Sequence, residues 1–182
     1  NRPYEIGFNS FGQVLPDGDS LTVPKGVTVM VDAGAILKFR RAAVVVGSTS
    51  ATVDKSGAAF QVLGKPNLPV YMTSWGDQST GIDTDPLPTT PSQGDWGGIL
   101  FRNDIDNAAG RFNYEKQGIF LNYVNNAVLQ YGGGSVVIGS VPQTVTPVHM
   151  VDARPEVSWN TIRFSSVAGI SANPNSFEET NF

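Results

Sequence analysis

Short apolar runs, each broken by a glycine, proline or polar residue, recur along the whole chain. Val27, Val29 and Val31 alternate with Thr28 and Met30, the period of two that sends alternate side chains to opposite faces of a strand. Similar runs occupy residues 21–23, 36–39, 44–46, 60–63, 70–73 and 99–101. They continue at 119–124, 127–131, 136–138, 148–151, 157–159 and 161–164. The i, i+3, i+4 spacing of an amphipathic helix is sustained nowhere. This pattern predicts an all-β chain of many short strands: a sandwich, a barrel or a solenoid.

Three features favour a solenoid over a β-sandwich. The breaks are short and carry few hairpin signals; there is no Asn-Gly, and the Asp-Gly pair stands at 17–18. The chain also resembles itself. Residues 119–131 can be laid on 148–160, so that Val128 falls on Val157 and Tyr131 on Asn160, 29 positions apart. That lies within the roughly 20–50 residue periods of solenoid coils. Finally, Asn160 stands between two apolar runs, where a side-chain amide can satisfy the backbone groups of a corner. The expectation is three parallel sheets in about six coils. Val29, Ile36, Val45, Val62, Ile99, Leu121, Val128, Val157 and Ile162 are expected to point inward.

Two stretches interrupt the rhythm. Residues 74–94 form a Pro/Asp/Thr-rich insertion without strand character, and 103–117 is rich in Asn, Asp and Gly. Loops beyond about 12–15 residues in a compact domain are usually functional or disordered. Both are expected to project from the stack. Length suits a single domain over 1–182, with 1–20 as an N-terminal lead-in or cap. The chain opens without Met or a signal peptide, which reads as a fragment of a longer protein.

Composition narrows the function classes. Charged residues make up 15%, the net charge is −4, and the twelve Lys and Arg are scattered, the densest group being Lys38-Phe39-Arg40-Arg41. A nucleic-acid surface needs clustered positive charge, so none is expected. No apolar run reaches the ~18 residues of a membrane span. Cysteine is absent, which removes disulfides, zinc thiolates and cysteine nucleophiles.

Several phrases carry a family resemblance. Leu21-Thr-Val-Pro-Lys-Gly-Val-Thr-Val-Met-Val31 followed by Asp32-Ala-Gly-Ala-Ile-Leu-Lys-Phe39 looks like the opening coils of a bacterial β-helix. Val44-Val-Val-Gly-Ser48, Gln61-Val-Leu-Gly64, Pro69-Val-Tyr-Met-Thr-Ser74 and Gly94-Asp-Trp-Gly-Gly-Ile-Leu-Phe101 continue the pattern. The chain resembles the pectate-lyase-like right-handed parallel β-helix segments of large planctomycete-type extracellular proteins. The resemblance covers nearly the whole chain, and its motifs are short and mainly structural. It implies a secreted or cell-surface location and a structural or adhesive role, with other segments or copies of the same protein as partners. The alternative is a polysaccharide-binding or polysaccharide-degrading module.

Catalytic residues are sparse. There is no G-x-S-x-G elbow and no phosphate-binding glycine motif. The single histidine, His149, lies in a run expected to be a strand, which favours a packed side chain over a base. Trp96 reads as a cover over an end or side of the stack, with a sugar platform as the alternative. A hydrolase would need two carboxyls about 5–10 Å apart, and a lyase a base plus a cation on the substrate carboxylate; Asp104 with Asp106, and Asp152 with Arg154, are the candidates, and the balance leans against an enzyme. The richer signal is the insertion, where Asp77, Ser79, Asp83 and Asp85 offer hard oxygens within nine residues, with Asp95 as an extra ligand. These form a candidate calcium loop, because calcium takes six to eight oxygens in a flexible cage. At the other end, residues 168–172 read as a strand of a coil still in progress.

Overall fold

The structure is a computed structural model that describes residues 2–82, 87, 89–102, 114 and 116–176. Strands dominate it. In chain order they are β1 (Tyr4–Gly7), β2 (Leu21–Thr22), β3 (Thr28–Asp32), β4 (Ile36–Arg40), β5 (Val44–Val46), β6 (Ala59–Leu63), β7 (Val70–Ser74) and β8 (Ile99–Arg102). Then come β9 (Tyr123–Asn125), β10 (Ala127–Gln130), β11 (Ser135–Ile138), β12 (Val141–Thr144), β13 (Val148–Val151), β14 (Glu156–Ser158), β15 (Thr161–Arg163) and β16 (Ile170–Ala172).

The first sheet runs β1-β4-β7-β10-β15, the second β16-β13-β8-β5-β2 and the third β14-β9-β6-β3. Every pairing within these three sheets is parallel. The chain visits the sheets in a fixed order and returns to each beside its previous strand, an arrangement compatible with a β-solenoid. The exception is β11–β12, an antiparallel hairpin inserted between visits. Gly139 and Ser140 at its tip both have positive φ, the geometry of a two-residue turn matched to strand twist. Gly-Ser was thus a hairpin signal that a search for Asn-Gly and Asp-Gly passes over.

One left-handed residue bends the chain at many strand ends. Arg41, Asn126, Tyr131, Asp152, Trp159 and Phe164 all have φ between 49° and 64°. Non-glycine residues pay about 1–2 kcal/mol for that conformation, and local contacts offset it. Asn160 Oδ1 accepts the Ala127 N–H at 2.8 Å, and its Nδ2 donates to the Val124 carbonyl at 2.5 Å. This is the corner role expected of Asn160. Where two turns of chain come closest only glycine fits: a Cβ on Gly47 would sit 1.8 Å from the Arg102 carbonyl oxygen.

The main core lies between the three sheets. Phe39, Phe60, Val62, Met72, Ile99, Phe101, Val124, Leu129 and Met150 are almost wholly buried there. Val29, Val62, Ile99, Val157 and Ile162 belong to or pack on this core, as the alternation predicts. Three expected inward residues are corrected. Leu37 and Phe39, not Ile36, Val44 and Val46, not Val45, and Leu129, not Val128, face the core. A slip of one residue inverts a strand's faces. These strands are covered on both sides, so their uninterrupted apolar runs do not say which face is inner. Leu121 is half-buried and outside the core cluster.

The self-similarity offset is also corrected. Val157 pairs with Val124, and Val128 pairs with Thr161, so equivalent positions here stand 33 residues apart rather than 29. The 29-residue match had laid the second-sheet strand β13 on the loop before β9. Short β-branched runs occur in every sheet, so pattern alone aligns at more than one offset.

Candidate functional site

The outward face of the first sheet carries a polar row. Glu5 pairs with Lys38, Lys38 with Thr73, and Gln130 with Arg163. Gln130 follows Leu129, the partner of Met72, and therefore stands beside Thr73. Alternation along five strands thus aligns Glu5, Lys38, Thr73, Gln130 and Arg163 across the sheet. Polar groups on an outer face normally meet water, yet Lys38 and Gln130 are each only 2% exposed and Thr73 is fully buried.

The cover is the turn that leaves β7. Trp75 N–H donates to the Phe39 carbonyl at 2.7 Å, which roots the outgoing chain beside β4. The returning chain is rooted there too, where Arg41 N–H donates to the Asp95 carbonyl at 2.7 Å. Asp95 Oδ2 accepts from Ser74 Oγ at 2.6 Å and from Ser92 N–H at 2.8 Å, which clasps the two roots together. The guanidinium of Arg40 lies 5.7 Å from the Trp75 ring centroid.

Asp77 lies under this turn, 1% exposed. Its Oδ2 accepts from Thr73 Oγ1 and from Gln130 Nε2, both at 2.7 Å. Its Oδ1 accepts from Ser79 N–H at 3.0 Å and Ser79 Oγ at 2.6 Å. Its main-chain carbonyl accepts from Lys38 Nζ at 2.7 Å. Arg163 Nε donates to Gln130 Oε1 at 2.7 Å, which fixes the amide so that its NH2 faces Asp77. Burial pushes the Asp77 carboxyl up, but the bonds from Ser79 and Thr73 outweigh it and hold the group below the usual carboxylate range. Glu5, at the end of the row, moves the other way: burial raises it, and the nearby Lys38 charge only partly opposes.

The sequence-derived sites map onto this geometry unevenly. Asp77 and Ser79 of the candidate calcium loop are brought together, whereas Asp83 and Asp85 lie outside the described residues. Asp95 sits at the roots of the excursion, bonded to Ser74 and Ser92. Among the described residues, no three His, Asp or Glu gather closely enough to hold a metal ion. Asp104 and Asp106 also lie outside the described residues. Asp152 Oδ1 accepts from Asn173 Nδ2 at 2.8 Å, a corner contact. The insertion was expected to project; its first residues instead fold back, with Trp75 and Asp77 buried.

Trp96 is a correction in place but not in kind. It covers no end: it is fully buried, stacks on Phe39 with centroids 4.6 Å apart, and donates its indole N–H to the Gln130 carbonyl at 2.8 Å. His149 lies on the outward face of the second sheet, registered beside Ser171. Thr146 Oγ1 gives its single hydrogen to the Val148 carbonyl at 2.7 Å, so the 2.7 Å contact with Ser171 uses the serine hydrogen. Ser171 is left to accept from His149 Nδ1 at 3.2 Å. His149 is therefore a donor to this serine and no base for it. Burial, aided by the Arg102 charge, lowers its pKa below the usual histidine value.

Lys38, Thr73, Gln130 and Arg163 were not singled out from the sequence. Each stands at an outward position of its strand, a signal readable only once the register is known. Comparison with protein-family models, curated proteins and solved structures returns no match, so the site is interpreted from its own geometry.

Proposed function

We propose that the chain is a segment of a right-handed parallel β-helix, serving as a structural or adhesive part of a large secreted or cell-surface protein. The observation that carries this reading is the strand order: three parallel sheets, each extended by one strand whenever the chain returns. Such a stack grows by repetition and gives length and surface with little catalytic machinery. The side chains on its outer faces support the same role, because the polar row of the first sheet is tied down by its own chain. Partners in this reading are other segments or copies of the same protein.

Antibodies against this chain should label intact cells that make the full protein; labelling only after permeabilisation overturns the surface assignment. A crystal structure with antiparallel sheets packed face to face would overturn the β-helix. Calcium is the proposed stabiliser of the insertion, in competition with Thr73 and Gln130 for Asp77. A melting temperature unmoved by millimolar calcium removes it from the proposal.

One observation favours a second reading, a polysaccharide-binding module. Trp159 is 84% exposed just before β15, and Phe164, stacked on Tyr131 at 5.1 Å, is 48% exposed just after it. Exposed aromatic faces bracketing a polar strand suit sugar rings. Screening acidic and neutral polysaccharides separates the readings: binding lost in Trp159→Ala supports the module, and no binding supports the structural role.

A further inference from the structure

We infer that Asp77 is a latch: its carboxylate fills a carboxylate-binding site on the outer face of the first sheet, holds the turn at 75–82 closed, and bares the polar row when removed.

The site is built rather than incidental. Two donors from different strands, Thr73 on β7 and Gln130 on β10, converge on one oxygen at 2.7 Å, and both are at least 98% buried. A third strand supplies Lys38, whose ammonium reaches the carbonyl of the same residue. A fourth supplies Arg163, which orients the Gln130 amide. Four strands brought together only by the fold thus converge on one acidic residue. Without the carboxylate, the Thr73 hydroxyl loses its acceptor in a dry place, and the Gln130 NH2 keeps only the weaker contacts to Thr73 Oγ1 at 3.1 Å and Thr80 Oγ1 at 3.5 Å. Buried donors without partners and buried charges are costly, and opening the turn to water relieves both.

The test is hydrogen exchange on the whole chain at pH 7 in EDTA, which removes any calcium contribution. Asp77→Ala should speed exchange within 75–82 by about tenfold or more while 36–40 and 127–130 keep their protection. Acetate at 100 mM should restore protection in this variant, and sodium chloride at equal ionic strength should not. Wild-type protection of 75–82 in Asp77→Ala overturns the latch, and acetate acting no better than chloride overturns the carboxylate site. Should Asp77→Ala fail to fold, the isosteric Asp77→Asn decides: one amide oxygen cannot serve both Thr73 with Gln130 and Ser79, so exchange at 75–82 should rise severalfold while 36–40 keeps its protection. Wild-type protection of 75–82 in this variant overturns the proposal.

Discussion

The first and second sheets both have a covered outer face, and the two covers work by different physics. Over the second sheet lies the hairpin β11–β12, where Val136 and Val145 pack on Ala43, Val45 and Leu100 to form a small apolar cluster separate from the main core. Over the first lies the Asp77 turn, which meets Lys38, Thr73 and Gln130 through hydrogen bonds. Apolar contact is non-directional and scales with area removed from water. A hydrogen-bonded cover is specific in geometry and depends on each donor meeting its acceptor. One device holds a surface shut under all ordinary conditions; the other can be released.

The largest effect should come from the apolar cover. Leu100 is fully buried, and Leu100→Ala should cost about 2–5 kcal/mol, as large-to-small core substitutions do. Urea unfolding at pH 7 would measure it. A markedly smaller loss would mean that the hairpin rests only lightly on the sheet.

Thr73→Val keeps the shape and deletes one donor to a buried carboxylate. The expected loss is about 1–3 kcal/mol, with exchange at 75–82 rising and exchange in the hairpin unchanged. Equal changes in both covers would erase the contrast between them.

His149 sharpens the comparison, because it places one titratable group beside the second cover. Its folded pKa is depressed below 6.5, so the unfolded chain binds more protons in the window beneath that value. Stability should therefore fall as pH drops from about 7 through 6.5, until the folded group titrates as well. His149→Gln should flatten this slope. An unchanged slope would assign it to another group.

The smallest effect belongs to an ion pair on neither cover. Lys25 and Asp54 are paired but each is well exposed, and such pairs contribute little. Lys25→Ala should leave the urea midpoint where it is; a clear shift would show that the surface electrostatics of this chain are stronger than their exposure implies.

The sequence by itself determined most of the strands, but not β1 (Tyr4–Gly7) or β12 (Val141–Thr144), which lack an apolar run to mark them. Alternation at Val29 and Val31 was readable because the opposite face, with Met30, is open to solvent. The corner position of Asn160 was readable because it stands between two short strands, but its partners, 33 and 36 residues away, were not. Only the tertiary structure decided which face of β4, β5 and β10 looks inward, since covers on both sides remove the polar alternation that marks a face. It also decided the 33-residue register, for short apolar runs match one another at several offsets. The Asp77 site lay furthest from reach. In sequence Asp77 stands with Ser79, Asp83 and Asp85 and suggests oxygen ligands for a cation; in the fold its partners include residues 38, 73 and 130. A hydrogen bond depends on distances in space, and here those are set by strand pairing across residues 39 and 53 positions apart in the chain.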